Sequence, residues 1–246
     1  MARNSKALKL HYDHETAVYN TSRFPWESGP LGVLEREEIA KILQGGNVLE
    51  CGVGTGRNAL VFGKNHFFVG VDISKEMLAN CKNRLKSKGL GVNLIQADAH
   101  NLPFKDGVFG TVFFSRSFKF FFDPLKSLIE TRKVLEKDGK VVISSPVLDT
   151  SSLRLAIKVG LIRPMLENAQ YYSGEELYAL LGQADFATMK TIAVGNLFFG
   201  LYSFLWFNLY KVLGRFFRHF PNPLLIRIFK IQRRTSYSYV LVEAPK

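Results

Sequence analysis

The feature that most constrains the fold is a regular alternation of short apolar runs with helix-like segments between residues 47 and 146. Five runs are typical of strands: NVLEC (47–51), FFVGVDI (67–73), VNLIQAD (92–98), GVFGTVFFS (107–115) and GKVVISSP (139–146). Helix-like segments stand between them, and two begin behind capping side chains, at Ser74 and at Asp123-Pro124. This alternation predicts an α/β domain with a mainly parallel sheet that is covered by helices on both faces.

The flanking regions follow a different pattern. Residues 1–45 predict a helical lead-in, and residues 147–182 predict a helical insertion on the substrate side of the sheet. The insertion ends in a helix that begins with a capping box formed by Ser173 and Glu176. ATMKTIAVG (187–195) and SYSYVLVEA (236–244) predict the last two strands. With 246 residues, 47% of them hydrophobic, the chain is interpreted as a single domain.

The first strand runs directly into a glycine-rich turn. In LECGVGTGRN, three glycines stand at alternate positions, 52, 54 and 56, just behind Glu50. A turn of this kind is typical of an anion or nucleotide site, because a bare backbone admits a ligand and a helix N-terminus offers N–H groups. The dinucleotide fingerprint G-x-G-x-x-G would need glycine at position 57, where this chain has Arg57.

Two further acids stand at strand ends. Asp72 ends the second strand, where a carboxylate can accept hydrogen bonds from ribose hydroxyls, and Asp98 ends the third, within reach of an adenine amino group. Together with the glycine turn, they predict a site for an adenosine whose other end is not a pyrophosphate.

Four motifs occur in order: VLECGVGTG, VGVDIS, ADAHNLPF and the stretch FFSRSFKFFFDPLKSLIETRKVLEKDGKVVIS. They resemble those of class I S-adenosylmethionine-dependent methyltransferases, within which the chain is similar to the UbiE and methyltransferase-11 groups. The resemblance covers roughly residues 30 to 195 and the final strand. It implies a Rossmann-like fold with a seven-stranded mixed sheet whose last strand is antiparallel, and S-adenosylmethionine as the cofactor.

The resemblance also assigns cofactor-binding residues. It places Glu50, Gly52, Gly54 and Gly56 at the methionine portion, Asp72 at the ribose and Asp98 at the adenine amino group. It further implies contacts from Ile73, Ala99, Leu102 and Ser115, the first three as walls of the adenine pocket. No metal is expected, because Cys51 and Cys81 fit no zinc spacing and are interpreted as reduced thiols.

A catalytic base is harder to assign. Relatives often have a histidine three residues before the Asp-Pro pair, but here Phe120 stands at that position. Methyl transfer mainly requires alignment and exclusion of water, and a base only where the acceptor must lose a proton. The candidates near the site mouth are His11, Tyr12, Tyr19, Arg116 and Tyr171, each of which has ordinary packing or capping as its alternative role.

Residues 196–234 form a second informative segment. Between Thr191 and Thr235 there is no acidic residue, whereas seven lysines and arginines account for more than half of the net charge of +12. On a helix, Asn208, Lys211 and Arg215 would form a polar stripe among aromatic side chains. This pattern favours an amphipathic hairpin that lies on an anionic membrane surface. A buried hairpin, a dimer contact and a membrane span remain alternatives, while nucleic acid is disfavoured by the excess of apolar residues.

The sequence therefore predicts a methyltransferase that works at the cytoplasmic face of a membrane. Its acceptor would be a membrane-associated amphiphile, such as a phospholipid head group or a prenylated quinone ring. One alternative is a soluble methyltransferase of small molecules in which the hairpin is a lid. Another is a cofactor-bound partner subunit without turnover. The sequence predicts no oligomeric state.

Overall fold

The computed structural model describes residues 5–22, 30–43, 46–146, 169–187, 190–193 and 239–246. Its helices are α1 (Ser5–Ser22), α2 (Pro30–Ile42), α3 (Ala59–Phe62), α4 (Lys75–Lys86), α5 (Pro124–Val134) and α6 (Gly174–Gln183). Its strands are β1 (Asn47–Cys51), β2 (Phe67–Asp72), β3 (Asn93–Gln96), β4 (Phe109–Ser115), β5 (Leu135–Pro146), β6 (Lys190–Ala193) and β7 (Tyr239–Pro245). A 3₁₀ turn, Phe118–Phe120, follows β4.

The seven strands form one mixed sheet in the order β3-β2-β1-β4-β5-β7-β6. Strands β1 to β5 pair in parallel, and β7 is antiparallel to both β5 and β6. The predicted Rossmann-like sheet with an antiparallel last strand is confirmed. Because the strand order reverses between β1 and β4, the carboxyl ends of these two strands flank the crevice where open α/β sheets bind ligands.

Both faces of the sheet are buried, as the alternation predicted. Neighbouring residues of β1 show why, because side chains of a strand point alternately to opposite faces. Val48 belongs to a core layer that includes residues of α2 and α4, whereas Leu49 belongs to a layer that includes residues of α5 and α6. The two core layers pack on opposite faces of the sheet and support its carboxyl edge, where the ligand crevice lies.

The predicted helix starts are confirmed by their capping bonds. The Ser74 hydroxyl accepts from the Met77 amide at 3.1 Å, and the Asp123 carboxylate accepts from the Lys126 amide at 2.9 Å. Both halves of the capping box between Ser173 and Glu176 are present. These local signals therefore fix the residue at which each of three helices begins.

Two boundaries differ from the prediction. The fifth strand, predicted over 139–146, begins earlier, at Leu135, because Leu135 pairs with Phe109; the helix before it therefore ends at Val134. Strand pairing here outweighs the helix preference of the local sequence. The helix after the glycine turn has only four residues, Ala59–Phe62.

Several predictions fall on other parts of the chain. The hairpin predicted over 196–234 and residues 147–168 of the predicted insertion lie outside the described residues. The strands that flank residues 194–238 are paired at Ala193 and Val240, and Tyr239 pairs with Pro146 at the carboxyl end of β5. Both connections therefore meet the sheet at its carboxyl edge. Within the part of the chain that the structure describes, no helix is both long and apolar enough to cross a membrane.

Candidate active site

The glycine turn joins β1 to α3 at the carboxyl edge of the sheet. The Gly52 amide donates to the Val71 carbonyl at 2.8 Å, and the Gly56 amide donates to the Val53 carbonyl at 3.0 Å. The Gly54 amide donates to Asp72 Oδ2 at 2.8 Å. These N–H groups are thus bonded within the protein, whereas the sequence predicted free N–H groups at a helix N-terminus. The turn therefore offers a ligand space, and the amides of its three glycines are already used within the protein.

Each of the three glycines has a positive φ, but only one faces open space. A Cβ on Gly52 would lie 2.5 Å from Ser117 Cβ, and one on Gly56 would lie 2.4 Å from Cys81 Sγ. A Cβ on Gly54 would have Tyr19 Oη as its nearest neighbour, 4.0 Å away. Packing therefore explains Gly52 and Gly56, and Gly54 is the glycine that a ligand can approach.

Glu50 is a buried acid with one oxygen available. Asn58 Nδ2 donates to Glu50 Oε1 at 2.6 Å, whereas the buried Oε2 has no hydrogen-bond partner among the described residues. Burial raises the pKa of Glu50 to about 8, although Asn58 and Arg57 favour the ionised form. A cationic group at Oε2 would satisfy this oxygen, so the site fits the ammonium of a methionine moiety.

Asp72 supports the turn and keeps acceptor capacity. Its Oδ2 accepts from the Gly54 amide, and its Oδ1 accepts from the Ser74 amide at 2.9 Å. Burial raises the pKa of Asp72 to about 6 despite these bonds. Each carboxylate oxygen can accept two hydrogen bonds, so both retain a position for the predicted ribose hydroxyls.

Asp98, the acid predicted to contact adenine, is held by three donors. Its Oδ1 accepts from the His100 amide at 3.0 Å and from His100 Nδ1 at 2.5 Å, and its Oδ2 accepts from the hydroxyl of Ser5. Burial opposes ionisation, but these hydrogen bonds outweigh it and hold the pKa of Asp98 below its usual range. His100 Nε2 accepts from the Asp123 amide at 3.3 Å, so Nδ1 carries the proton that is donated to Asp98.

The predicted adenine walls occupy the same region. Ala99 and Leu102 are buried in the core layer against α5 and α6, and Ile73 is half-buried at the end of β2. Their contact with adenine stays a prediction.

A buried acid that the sequence analysis missed organises the ends of β4 and β5. Glu35 of α2 accepts from the hydroxyls of Ser115 and Ser144 at 2.7 and 2.6 Å. Arg116 Nη2 lies 2.5 Å and Arg57 Nη1 3.4 Å from its other oxygen. Burial opposes ionisation of Glu35, but the two guanidinium groups outweigh it and lower its pKa to about 2.

The sequence contained a signal for this role. Glu35 shares one helical face with Ile39 and Ile42, at spacings of four and seven residues, so it interrupts an apolar stripe. A charged residue at such a position is rarely buried without partners. The predicted cofactor residue Ser115 and the catalytic candidate Arg116 both belong to this cluster.

The other catalytic candidates gather around Phe120. The ring of Tyr12 lies 5.7 Å from that of Phe120 and 6.3 Å from that of Tyr19, and the His11 ring lies 5.2 Å from Tyr12. Lys119 Nζ stands 5.0 Å from the centre of the Phe120 ring and 5.5 Å from that of the Tyr171 ring, in a cation–π contact with each. Helix α1 and the 3₁₀ turn thus form an aromatic wall (Tyr12, Tyr19 and Phe120) beside the glycine turn.

Neither cysteine belongs to the aromatic wall. Cys51 and Cys81 are buried free thiols, and burial raises the pKa of Cys81 to about 12. Among the described residues, no group of three histidine, cysteine or acidic side chains could hold a metal ion.

An open α/β sheet with a glycine turn at its switch point and an acid at the end of the neighbouring strand is typical of domains that bind a nucleotide-like cofactor. Comparison with known proteins agrees. A family model described as a methyltransferase domain matches residues 49–143. An uncharacterised protein of Methanocaldococcus jannaschii is 30% identical over 156 residues, which are 63% of this chain and 72% of that one.

Two relatives with named activities match shorter stretches. A demethylmenaquinone methyltransferase of Thermus thermophilus is 35% identical over 39% of this chain and 45% of its own length. A phosphatidylethanolamine N-methyltransferase of Cereibacter sphaeroides is 36% identical over 41% of this chain and 50% of its own length. The chain thus spans half or less of these two curated relatives.

Solved structures share the fold. A methyltransferase of Thermotoga maritima, described as a possible histamine N-methyltransferase, superposes with a TM-score of 0.64 at 22% identity, over 94% of this chain and 93% of that one. The chain belongs to the class I S-adenosylmethionine-dependent methyltransferases. It is an enzyme of that family, and S-adenosylmethionine is its cofactor.

Proposed function

We propose that the protein methylates a membrane-associated amphiphile, such as a phospholipid head group or a prenylated quinone ring. The observation that carries this proposal is the aromatic wall beside Gly54, where Tyr12 and Phe120 lie 5.7 Å apart. Apolar rings at a site mouth favour an acceptor that is itself partly apolar. Bound S-adenosylmethionine supplies an electrophilic methyl group on a sulfonium.

The residues of the chain then have distinct tasks in the proposal. Glu50, Asp72 and Asp98 bind the ammonium, the ribose and the adenine. Gly54 lets the ligand approach the backbone, and Tyr19, whose hydroxyl is nearest to it, limits the room for the acceptor. Because Phe120 replaces the histidine of many relatives, the wall orients the acceptor and excludes water rather than accepting a proton.

The names of two relatives support a lipid acceptor. One is called a demethylmenaquinone methyltransferase and the other a phosphatidylethanolamine N-methyltransferase. Both names specify a lipid.

The composition of residues 196–234 supports a membrane surface. The segment has seven basic residues and no acidic residue among many aromatic ones. Each basic residue near an anionic surface contributes about 1 kcal/mol, weakened by salt. The flanking strands meet at the carboxyl edge of the sheet, so surface attachment would lie near the site.

Turnover on lipid is tested with radiolabelled S-adenosylmethionine and total lipid extract in vesicles. We expect label in the organic phase. Label in the aqueous phase from a cell extract would instead indicate a soluble acceptor with the hairpin as a lid. Label in neither phase, from protein that binds the cofactor, would indicate a partner subunit without turnover.

Membrane attachment is tested separately by flotation with vesicles of phosphatidylcholine, with and without phosphatidylglycerol. We expect flotation only with the anionic lipid, and its loss when Arg215, Arg218, Arg227 and Lys230 are changed to glutamine. The matched control changes the exposed residues Lys82, Lys88, Lys105 and Lys137 to glutamine, which removes the same charge elsewhere. Equal loss in both variants would contradict a local membrane-binding segment.

A further inference from the structure

Helix α1 follows the predicted cofactor site from one end to the other. Its first residue, Ser5, donates to Asp98 at the adenine end. In its middle, Asp13 accepts from the Ser74 hydroxyl at 2.5 Å, two residues from Asp72. Near its end, the Tyr19 hydroxyl is the nearest neighbour of the open face of Gly54. At a rise of 1.5 Å per residue, Ser5 and Tyr19 are separated by about 21 Å along the helix.

These contacts meet the adenine, ribose and methionine positions in that order. We propose that α1 is the outer wall of the cofactor site and that Ser5 occupies the place of the adenine amino group on Asp98, so that the cofactor displaces Ser5 when it binds. This inference rests on the cofactor of the family and is independent of the proposed acceptor.

The acceptor capacity of Asp98 explains the competition. Oδ1 already accepts two hydrogen bonds from His100, which fills its usual capacity, so a further donor must use Oδ2. Ser5 donates to that oxygen. The adenine amino group is also an N–H donor, and the side chain of Asp98 is 33% exposed, so a ligand can reach it. Ser5 and adenine therefore need the same oxygen, of whose two acceptor positions Ser5 already holds one.

The middle of the helix has an anchor of its own. Burial opposes ionisation of Asp13, but hydrogen bonds from Lys9 and Ser74 outweigh it and lower its pKa, which keeps it anionic. The Ser74 hydroxyl that donates to Asp13 also caps α4 by accepting from the Met77 amide. Asp13 thus anchors α1 to a fixed helix start, and only the first turn, which carries Ser5, has to give way.

The test compares two ligands and measures affinity by calorimetry. One ligand is S-adenosylhomocysteine, and the other is its analogue in which purine, without the 6-amino group, replaces adenine. We expect Ser5→Ala to bind S-adenosylhomocysteine about three- to tenfold more tightly, because a competing hydrogen bond to a charged group is removed. The same variant should leave the affinity for the purine analogue unchanged. Ser5→Thr, which keeps the hydroxyl, is the matched control and should behave like the wild type.

Weaker or unchanged binding of S-adenosylhomocysteine by Ser5→Ala would overturn the proposal, because Ser5 would then support the adenine site or share the Asp98 oxygen with adenine. An equal gain for both ligands would also overturn it, since the effect would then not involve the amino group. Asp13→Asn tests the anchoring of α1 separately from the competition by Ser5. This variant should raise the dissociation rates of both ligands alike. Thermal unfolding of each variant checks that the fold is retained. Binding is measured without an acceptor, so the result does not depend on whether the acceptor is a lipid.

Discussion

Arg116 Nη2 lies 2.5 Å from Glu35 Oε2, and the Glu35 side chain has no exposed surface. The same carboxylate also faces Arg57, so a single acid on α2 holds two guanidinium groups at the carboxyl edge of the sheet. Four elements depend on this acid: the glycine turn, the ends of β4 and β5, and α2 itself.

Glu35→Gln should lower the free energy of unfolding by about 3–5 kcal/mol at pH 7, because it leaves two mostly buried guanidinium groups without their carboxylate. The pKa of Glu35 is lowered from 4.5 to about 2, so its contribution is present above pH 4.5 and is lost as the pH falls toward 2. Urea unfolding from about pH 7 to about pH 3 measures the full contribution and the upper part of its loss.

The control for this variant is Glu38→Gln on the same helix. Glu38 forms a surface pair with Lys41 at 2.7 Å, so its loss should change the unfolding free energy by about 0.5 kcal/mol or less. Similar losses in both variants would contradict the role of Glu35.

Binding of S-adenosylhomocysteine at pH 7 should release nearly one proton from Glu50. With a pKa raised to about 8, this acid is mostly protonated at pH 7 in the free protein, and a bound ammonium group would favour its ionised form. Calorimetry in buffers with different ionisation enthalpies measures the released protons. Glu50→Gln should bind without this release, and an unchanged release in that variant would assign the proton to another group.

Gly56→Ala should destabilise the fold by about 2–4 kcal/mol, through backbone strain and overpacking together. Gly56 has a φ of 82°, and an added Cβ would lie 2.4 Å from Cys81 Sγ. Gly107→Ala is the matched control, since Gly107 has a φ of 69° and nothing within 4 Å of the added atom. Chemical denaturation of the two variants separates the clash from the strain, and equal losses would show that the contact with Cys81 is not tight.

Gly54→Ala should act on binding rather than on packing. Its φ of 53° adds a modest strain, but the added Cβ meets only Tyr19 Oη at 4.0 Å. We expect a stability similar to that of Gly107→Ala. The affinity for S-adenosylhomocysteine should fall at least tenfold, a loss of about 1.4 kcal/mol in binding free energy, because a methyl group would occupy the open face of the turn. Normal affinity would show that the cofactor does not lie against Gly54.

The parts of the fold that follow from local patterns were predicted closely. Strand β1 has the predicted bounds, and Ser74, Asp123 and Ser173 cap the helices that they were expected to cap. Each of these signals depends on neighbours within a few residues. Asp72 ends β2 as predicted, whereas Asp98 lies two residues beyond the end of β3. The contacts of both acids with the cofactor stay predictions.

The features that the sequence did not reveal depend on distant parts of the chain. Ser5 and Asp98 are 93 residues apart, and Ser144 and Glu35 are 109 apart. The residue that leaves no room for a side chain at Gly56 is also distant in sequence: it is Cys81 of α4. Such contacts depend on where the helices pack against the sheet, and the spacing of residues within one segment does not specify this.

The pairing of Ala193 with Val240 has an evolutionary consequence. Residues that face each other across antiparallel strands are about 5 Å apart, so the two ends of the intervening stretch are fixed side by side. A doubling of the length of such a stretch costs only about 0.6 kcal/mol in closure entropy, without disturbing either strand. Related genes could therefore exchange or lengthen this stretch to suit new acceptors while the sheet and its nucleoside site stay the same.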